Sequence, residues 1–353
     1  MKNNIKAEIV AHSKRAETGE EIITYKLTFP RIILSEVNTY KMLEKNTASH
    51  RAVKFEKLVE VVNSEPFIPI AFGKHHTGMQ NKEYVTDEEE IKELERLWLV
   101  ARDRAVESAM DLYNKGVSKQ LTNRIIESYT WCTQLITGTR ESFEHLFNQR
   151  CPIYDISNEV LRLASSDTET SFKSKKEVIK KFSQLSKKDD LWWLQHNKGQ
   201  AEIHFMDLAE KMYDALNESE PDILKEGDFH VPFLKDIMHQ LGVSYMSLQD
   251  AIRMSVCLTA KISYTKIGDE NSITVEKARE MYDRLKNSGH WSCFGHIAKC
   301  MTDVEYRSWI KGKIEKEDYI VAIPQETQGY CKNLRGFISL RQYVEDNVEL
   351  KDI

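Results

Sequence analysis

The sequence predicts an α+β fold: a single domain in which an antiparallel hairpin and further strands sit among many helices. Three observations carry this. Two β-rich segments, "KAEIVAHS" and "EIITYKLTFPRIIL", flank "AETGEE", the pattern of a hairpin. From Thr86 onward most apolar residues recur at helical spacing. No internal repeat and no flexible interdomain linker divides the 353 residues, a length that suits one large domain or two ordinary ones.

Each element follows from local chemistry. Pro30 lacks an N–H and predicts an edge or a bend in the second strand. Ser35 is a cap candidate for a helix running through Leu43, with residues 46–49 breaking it, and "AVKFEKLVEVVNS" starts the next helix. "EPFIPIAFGKHHTGMQ" has the Pro and Gly content of a loop. Thr86 and Glu89 have capping-box spacing before "IKELERLWLVARDRAVESAMDLYNK". Leu94, Leu97, Trp98, Ala101 and Ala105 form its apolar stripe, and Gly116 is a C′ residue. Ser118 opens "KQLTNRIIESY", the β-branched "TWCTQLITGT" reads as a strand, and "ESFEHLFNQR" as a helix. Residues 152–198 are Ser- and Lys-rich and weakly apolar, which predicts a surface insertion with two short helices and a mobile centre. "QAEIHFMDLAEKMYDAL" returns to an amphipathic helix and "FHVPFL" is extended; the remainder is mainly helical around a loop at "NSGHWSCFGH".

Composition excludes several classes. With 41% hydrophobic residues and a net charge of −5, the chain can build a core and is no generally basic nucleic-acid coat. It has no apolar run of membrane-span length and no signal-peptide h-region at "MKNNIKAEIVAHSKRAE". Six scattered cysteines form no C-x-x-C, so reduced thiols and a cytoplasmic location are expected. His75-His76, and His290 with His296, lack the companions a metal site needs. Trp192-Trp193 suit packing of the insertion better than base stacking. The lysines at 173, 175, 176, 180 and 181 suit a solvated face better than a nucleic-acid surface.

Against that acidic balance, "LSEVNTYKMLEKNTASHRAVKFEKL" gathers Lys41, Lys45, His50 and Arg51 around Asn46, Thr47 and Ser49. Hydroxyl donors and a forked guanidinium hold phosphates and pyrimidine carbonyls, and helix-start N–H groups add to the field. Taken alone, Ser49 and Arg51 suit a helix cap, and Arg124 in "LTNRIIESY" and Arg150 in "FEHLFNQRC" suit surface ion pairs.

The order of these segments adds more. "FPRIILSEVNTYKMLEKNTASHRA" resembles the R-H-R-x-x-S-x-N-x-x-S-x-R signature of flavin-dependent thymidylate synthases, in the form carried by a long, phage-associated branch. Phe29, Pro30, Arg31, Glu36, Thr39, Asn46, Ser49, Arg51 and Ala52 keep the pattern. The resemblance continues in order through "PFIPIAFGKHHTGMQ", "KQLTNRI", "FEHLFNQRC", "QAEI", "EGDFHVPF", "VEKAREMYDRL", "HWSCFGH" and "NLRGFISLRQYVE", covering nearly all of the chain except the insertion.

The resemblance implies one-carbon transfer to C5 of a deoxypyrimidine monophosphate, dUMP to dTMP, with FAD as cofactor and NADPH and methylenetetrahydrofolate as co-substrates. It implies a homotetramer with shared sites, acting on a nucleotide and not on a membrane or nucleic acid. Glu36, Ser49, His50, Arg51, Arg124 and Arg150 should line the nucleotide, with Ser49 and Arg150 acting in catalysis. Thr39, Tyr40, Lys41, Asn46, His145 and His296 should meet the flavin; no metal is implied. The departures cluster on the flavin side. Tyr40-Lys41 stand where the family has His-Arg, and Glu44 replaces a serine. In "SCFGH", matching the family's P-F-E-H, Cys293 replaces the proline and Gly295 the glutamate. Lysine for arginine keeps the charge and loses the fork. Uracil or cytosine as base, and methyl or hydroxymethyl as product, stay open, as does a nucleotide-binding homologue with lost or altered flavin chemistry.

Overall fold

The computed structural model describes residues 4–78, 81, 83–157, 170–264, 274–306 and 333–352. Strands β1 (Lys6–Arg15) and β2 (Glu21–Pro30) form the expected hairpin, paired from Lys6↔Thr28 to Lys14↔Glu21. With β3 (Glu44–Thr47) and β4 (Trp131–Thr139) they make the antiparallel part of the main sheet. Two further pieces pair locally as β5 (Tyr154–Asp155) and β6 (Ser171–Phe172). A parallel strand, β7 (Asp222–Leu224), completes the mixed five-stranded order β3-β4-β2-β1-β7. A small second sheet joins β8 (Phe229–His230), β9 (Ala298–Cys300) and β10 (Phe337–Ser339).

The helices are α1 (Leu34–Val37), α2 (Phe55–Ser64), α3 (Glu88–Asn114), α4 (Lys119–Ile125), α5 (Arg140–Arg150) and α6 (Lys175–Lys181). They continue as α7 (Asp190–His196), α8 (Ile203–Asn217), α9 (Leu234–Leu241), α10 (Leu248–Tyr264), α11 (Val275–Asn287) and α12 (Leu340–Glu345). The expected α+β class holds.

Period-two alternation divides β2 between two cores. Ile23, Tyr25, Leu27 and Phe29 pack with Phe143 and Leu146 of α5 and Phe205, Leu208 and Met212 of α8. On the other face Ile22 packs with Ala298, Cys300 and Phe337 of the small sheet. The same face carries a buried polar strip that includes Thr24 and, on β4, Thr137.

Several local expectations are corrected. Pro30 bends the chain into a 3-10 turn at Arg31–Ile33, but β2 is interior, not an edge. The helix expected through Leu43 stops at Val37, and the first half of the supposed breaker at 46–49 lies in β3, because Glu44–Thr47 pairs with β4 and tertiary pairing overrides local propensity. The cap of α3 is Asp87, not Thr86; its carboxylate accepts from Glu90 N. Gly116 does take the left-handed conformation after α3, at φ 87°. Ala101 and Leu97 of the predicted stripe are exposed, and burial shifts to Val106 and Ala109. The segment Trp291–His296 is a 3-10 helix.

The described part of 152–198 does contain two short helices, α6 and α7, and its supposed mobile centre lies largely outside the described residues. Those flanks bury Tyr154, Ile156, Phe172, Val178 and Trp193 in a cluster of their own. Trp193 packs as expected, edge-on to Trp192 and Tyr154. Cys132, Cys151, Cys257, Cys293 and Cys300 are buried free thiols; Cys331 lies outside the described residues. No described helix is long and apolar enough to cross a membrane.

Candidate functional site

The residues singled out from sequence fall into three groups around the β3–β4 edge. The first centres on Glu127, in a 3-10 turn at Glu127–Tyr129 after α4. Its carboxylate lies 3.3 Å from His50 Nδ1 and 3.5 Å from an Arg31 guanidinium nitrogen. Burial works to raise this carboxyl, but His50, Arg31 and Arg124 outweigh it and hold it below the usual range. The backbone of His50–Ala52 forms a 3-10 turn fastened to α4: Asn123 Nδ2 donates to His50 O at 2.7 Å and Val53 O at 3.2 Å. Ser49 precedes the turn, and its N–H donates to Ser263 O of α10. Arg51 and Arg124 are exposed, and neither makes an ion pair among the described residues. Two guanidinium groups, those of Arg31 and Arg124, and the His50 imidazole therefore act on one carboxylate, and Arg51 follows His50 in the same turn, a local bias of positive charge suited to an anion. Ser49, His50, Arg51 and Arg124 are thus brought together by segments far apart in the chain.

Arg150 stands apart from them. At the C-terminal end of α5 its Nε donates to the Tyr40 hydroxyl at 2.8 Å, and Glu36 lies 3.7 Å from its guanidinium. The guanidinium also lies over the Phe205 ring, 5.0 Å from its centroid. The Tyr40 hydroxyl in turn donates to Gln149 Oε1 at 2.9 Å, and its ring meets His145 edge-on. Burial, with Glu202 nearby, raises the Glu36 carboxyl against the pull of Arg150. Thr39 and Lys41 are exposed beside this cluster, and the Thr39 hydroxyl donates to Glu36 O. No hydrogen bond or ion pair among the described residues joins Arg150 to Ser49, the two expected catalytic residues.

The third group is interior. Asn46 is buried, its Nδ2 donating to Thr259 O while Oδ1 accepts from the hydroxyls of Ser263 (2.8 Å) and Ser292 (3.3 Å). His296 is fully buried, and burial pushes it down to about 3. Its Nδ1 lies 2.8 Å from the Thr137 hydroxyl, and its Nε2 has no hydrogen-bond partner among the described residues. From Thr137 hydrogen bonds continue to Thr24 (2.7 Å), His230 Nε2 (2.8 Å) and, through His230 Nδ1, Ser13 (2.9 Å). Glu44, opposite Thr137 across the β3–β4 pair, lies over Gly295: a Cβ there would sit 2.8 Å from Glu44 Oε2.

These placements test the flavin expectation. Thr39, Lys41 and His145 are exposed, whereas Tyr40, Asn46 and His296 are buried and Asn46 spends its amide on α10. Within one chain the six residues do not form one cradle for a flavin. Among the described residues no group of three or more His, Cys, Asp or Glu could hold a metal ion. Sequence reasoning missed Glu127, Asn123, His230 and the role of Arg31; none has a spacing that announces its partner.

No protein-family model matches the chain, and no curated protein matches it. Solved structures that resemble part of it include two of the UMP/dUMP methylase PolB from Streptomyces cacaoi. The form bound with 5-Br dUMP is 12% identical, over 56% of this chain and 67% of that one, with a TM-score of 0.37. The form bound with 5-Br UMP is 12% identical, over 62% and 90%, with a TM-score of 0.40. Superpositions this loose assign neither activity nor ligand to the present chain.

Proposed function

We propose that the chain is a pyrimidine-nucleotide enzyme that transfers a one-carbon unit to C5 of a deoxypyrimidine monophosphate, dUMP to dTMP being the leading case. The observation that carries this reading is the excess of positive charge around Glu127, built from the segments that resemble the flavin-dependent thymidylate synthases. Arg51 and Arg124 supply guanidinium forks for the phosphate. Glu127 and His50 hold the supporting turn in place, and Asn123 fixes it to α4. Ser49 adds a hydroxyl donor beside Arg51.

The resemblance assigns FAD, NADPH and methylenetetrahydrofolate to this reaction. A flavin site here requires residues from a second copy, in keeping with a homotetramer with shared sites. Hydroxymethyl transfer at the same carbon is the second reading. It is favoured by the cofactor-side changes, where Tyr40 occupies Arg150 and Glu44 covers Gly295.

Calorimetry with dUMP and dCMP tests the nucleotide site. Arg51→Ala and Arg124→Ala should each weaken binding by about 1.5–3 kcal/mol, the worth of hydrogen bonds to a charged group. Failure of both nucleotides to bind the wild-type protein overturns the reading. A flavin absorption band in the purified protein, followed by label transfer from methylenetetrahydrofolate to dUMP, separates the methyl reading from the hydroxymethyl one through the product formed.

A further inference from the structure

A cavity of about 360 Å³ opens between α8, β5, α7 and the loop that carries Ile70 and Phe72. Its volume lies in the range of small-molecule sites. Ile70, Phe72, Val85, Trp193, Leu194 and Met206 give it an apolar wall. Part of that wall comes from residues 152–198, outside the family resemblance, so the cavity is not explained by the nucleotide site.

Its polar end is Glu210. This residue is 7% exposed, and its two oxygens accept from Lys175 N at 2.7 Å and the Tyr154 hydroxyl at 3.0 Å. Neighbouring carboxylates have cations: Asp207 lies 2.6 Å from Lys211 Nζ, and Asp190 lies 3.7 Å from Lys175 Nζ. Glu210 has no ion pair among the described residues. Each of its oxygens keeps a further acceptor position, and a buried carboxylate without a cation in direct contact is costly.

We infer that this cavity is a binding site for a small molecule with an amine or amidine head set against Glu210 and an apolar body along the Trp193–Met206 wall. The head supplies a positive charge in direct contact, where Lys175 acts on Glu210 only from a distance with its ammonium 3.7 Å from Asp190, and the wall takes the body out of water. Burial, with a smaller push from Asp207, raises Glu210 to about 7, against Lys175 and Tyr154, which lower it. The charged and titratable groups that face it are Tyr154 on β5, Lys175 on α6, Asp190 on α7 and Asp207 on α8. A cationic head needs the ionised form, so its binding weakens as the pH falls through 7.

The probes are benzamidine and its neutral counterpart benzamide, followed by ligand-observed saturation-transfer NMR on the full chain. Benzamidine should bind saturably at pH 8, at least tenfold tighter than benzamide, and lose about tenfold between pH 8 and pH 6 as Glu210 takes up its proton. Glu210→Gln should abolish the preference for benzamidine while dUMP titrations stay unchanged. Leu194→Trp, which fills the cavity and leaves Glu210 in place, should block both probes and guards against a Glu210→Gln chain that fails to fold. The inference is overturned if benzamidine does not saturate, if benzamide binds equally well, or if both variants bind benzamidine like the wild type.

Discussion

At the scale of single residues, the line of hydrogen bonds from Ser13 to His296 has one arrangement that leaves only one group unmatched. If Ser13 donates to His230 Nδ1, then His230 Nε2–H donates to Thr24, Thr24 to Thr137, and Thr137 to His296 Nδ1. Only His296 Nε2–H is then left over. Reversing the chain strands both the Ser13 proton and the Nε2 lone pair, so the first direction is favoured. Both histidines should therefore carry their proton on Nε2. Nitrogen-15 NMR of histidine-labelled protein checks this, and Thr137→Val should release His296 from the fixed tautomer; protonated Nδ1 nitrogens in the wild type would refute the arrangement. Glu44 and Gly295 form a second local pair. A Cβ at position 295 would sit 2.8 Å from Glu44 Oε2, so the Glu44 carboxylate fills the space that a side chain there would need. Gly295→Glu alone sets two carboxylates together, where burial already raises Glu44 against the pull of Arg341 and Lys45. Glu44→Ser combined with Gly295→Glu should relieve that conflict, with a coupling of about 1–3 kcal/mol in denaturant unfolding. Strictly additive effects would show that the two positions do not share the space.

At the scale of elements, legibility followed the range of the forces involved. The β1–β2 hairpin, α4, β4, α5 and α8 were readable because their periodicity and caps are local: Ser118 accepts from Gln120 N, and Glu202 accepts at the start of α8. β3 was not, because "EKNT" becomes a strand only when β4 lies beside it. The short strands β7, β9 and β10 were missed for the same reason. In the candidate site the sequence grouped Glu36, Ser49, His50, Arg51, Arg124 and Arg150 around one nucleotide; the fold brings Ser49, His50, Arg51 and Arg124 together and sets Glu36 and Arg150 in a separate cluster with Tyr40. Nothing in the sequence signalled that Arg150 would be tied to Tyr40, a contact across 110 positions. The 152–198 segment shows how composition can mislead: a weakly apolar stretch still buries Phe172, Val178 and Leu185. Deleting residues 158–188 removes those side chains and uncovers Tyr154 and Trp193 but leaves the α5–α8 core over the sheet intact. The truncated chain should melt cooperatively at a lower temperature and titrate dUMP like the full chain. Loss of the cooperative transition would show that this segment belongs to the main core.

At the scale of the whole molecule, two kinds of buried group set opposing dependences of stability on pH. His230 and His296 are held down to about 3, by burial first and, for His230, by the charges of His12 and His296 as well. An unfolded histidine titrates near 6.5. Above that value neither state binds the proton and the contribution to stability is complete. As the pH falls from 6.5 toward 3 the unfolded chain takes up protons that the folded chain refuses, and stability is lost. Glu210 acts the other way. Its folded carboxyl titrates at about 7, above the ordinary glutamate value of 4.5. The folded chain therefore binds a proton that the unfolded chain does not, and as the pH falls from 7 to 4.5 this favours the folded state. Between pH 6 and 5 the two effects oppose each other, so the wild-type slope is shallower than the histidines alone would make it. Each full proton of difference is worth about 1.4 kcal/mol per pH unit. Glu210→Gln removes the offset and should steepen the acid loss by up to about that amount, whereas His296→Gln should flatten it by a similar amount. Urea unfolding free energies at pH 7, 6 and 5 for the three proteins measure these slopes directly. Slopes that move the same way in both variants, or not at all, would mean that these side chains do not hold the protonation states their burial dictates.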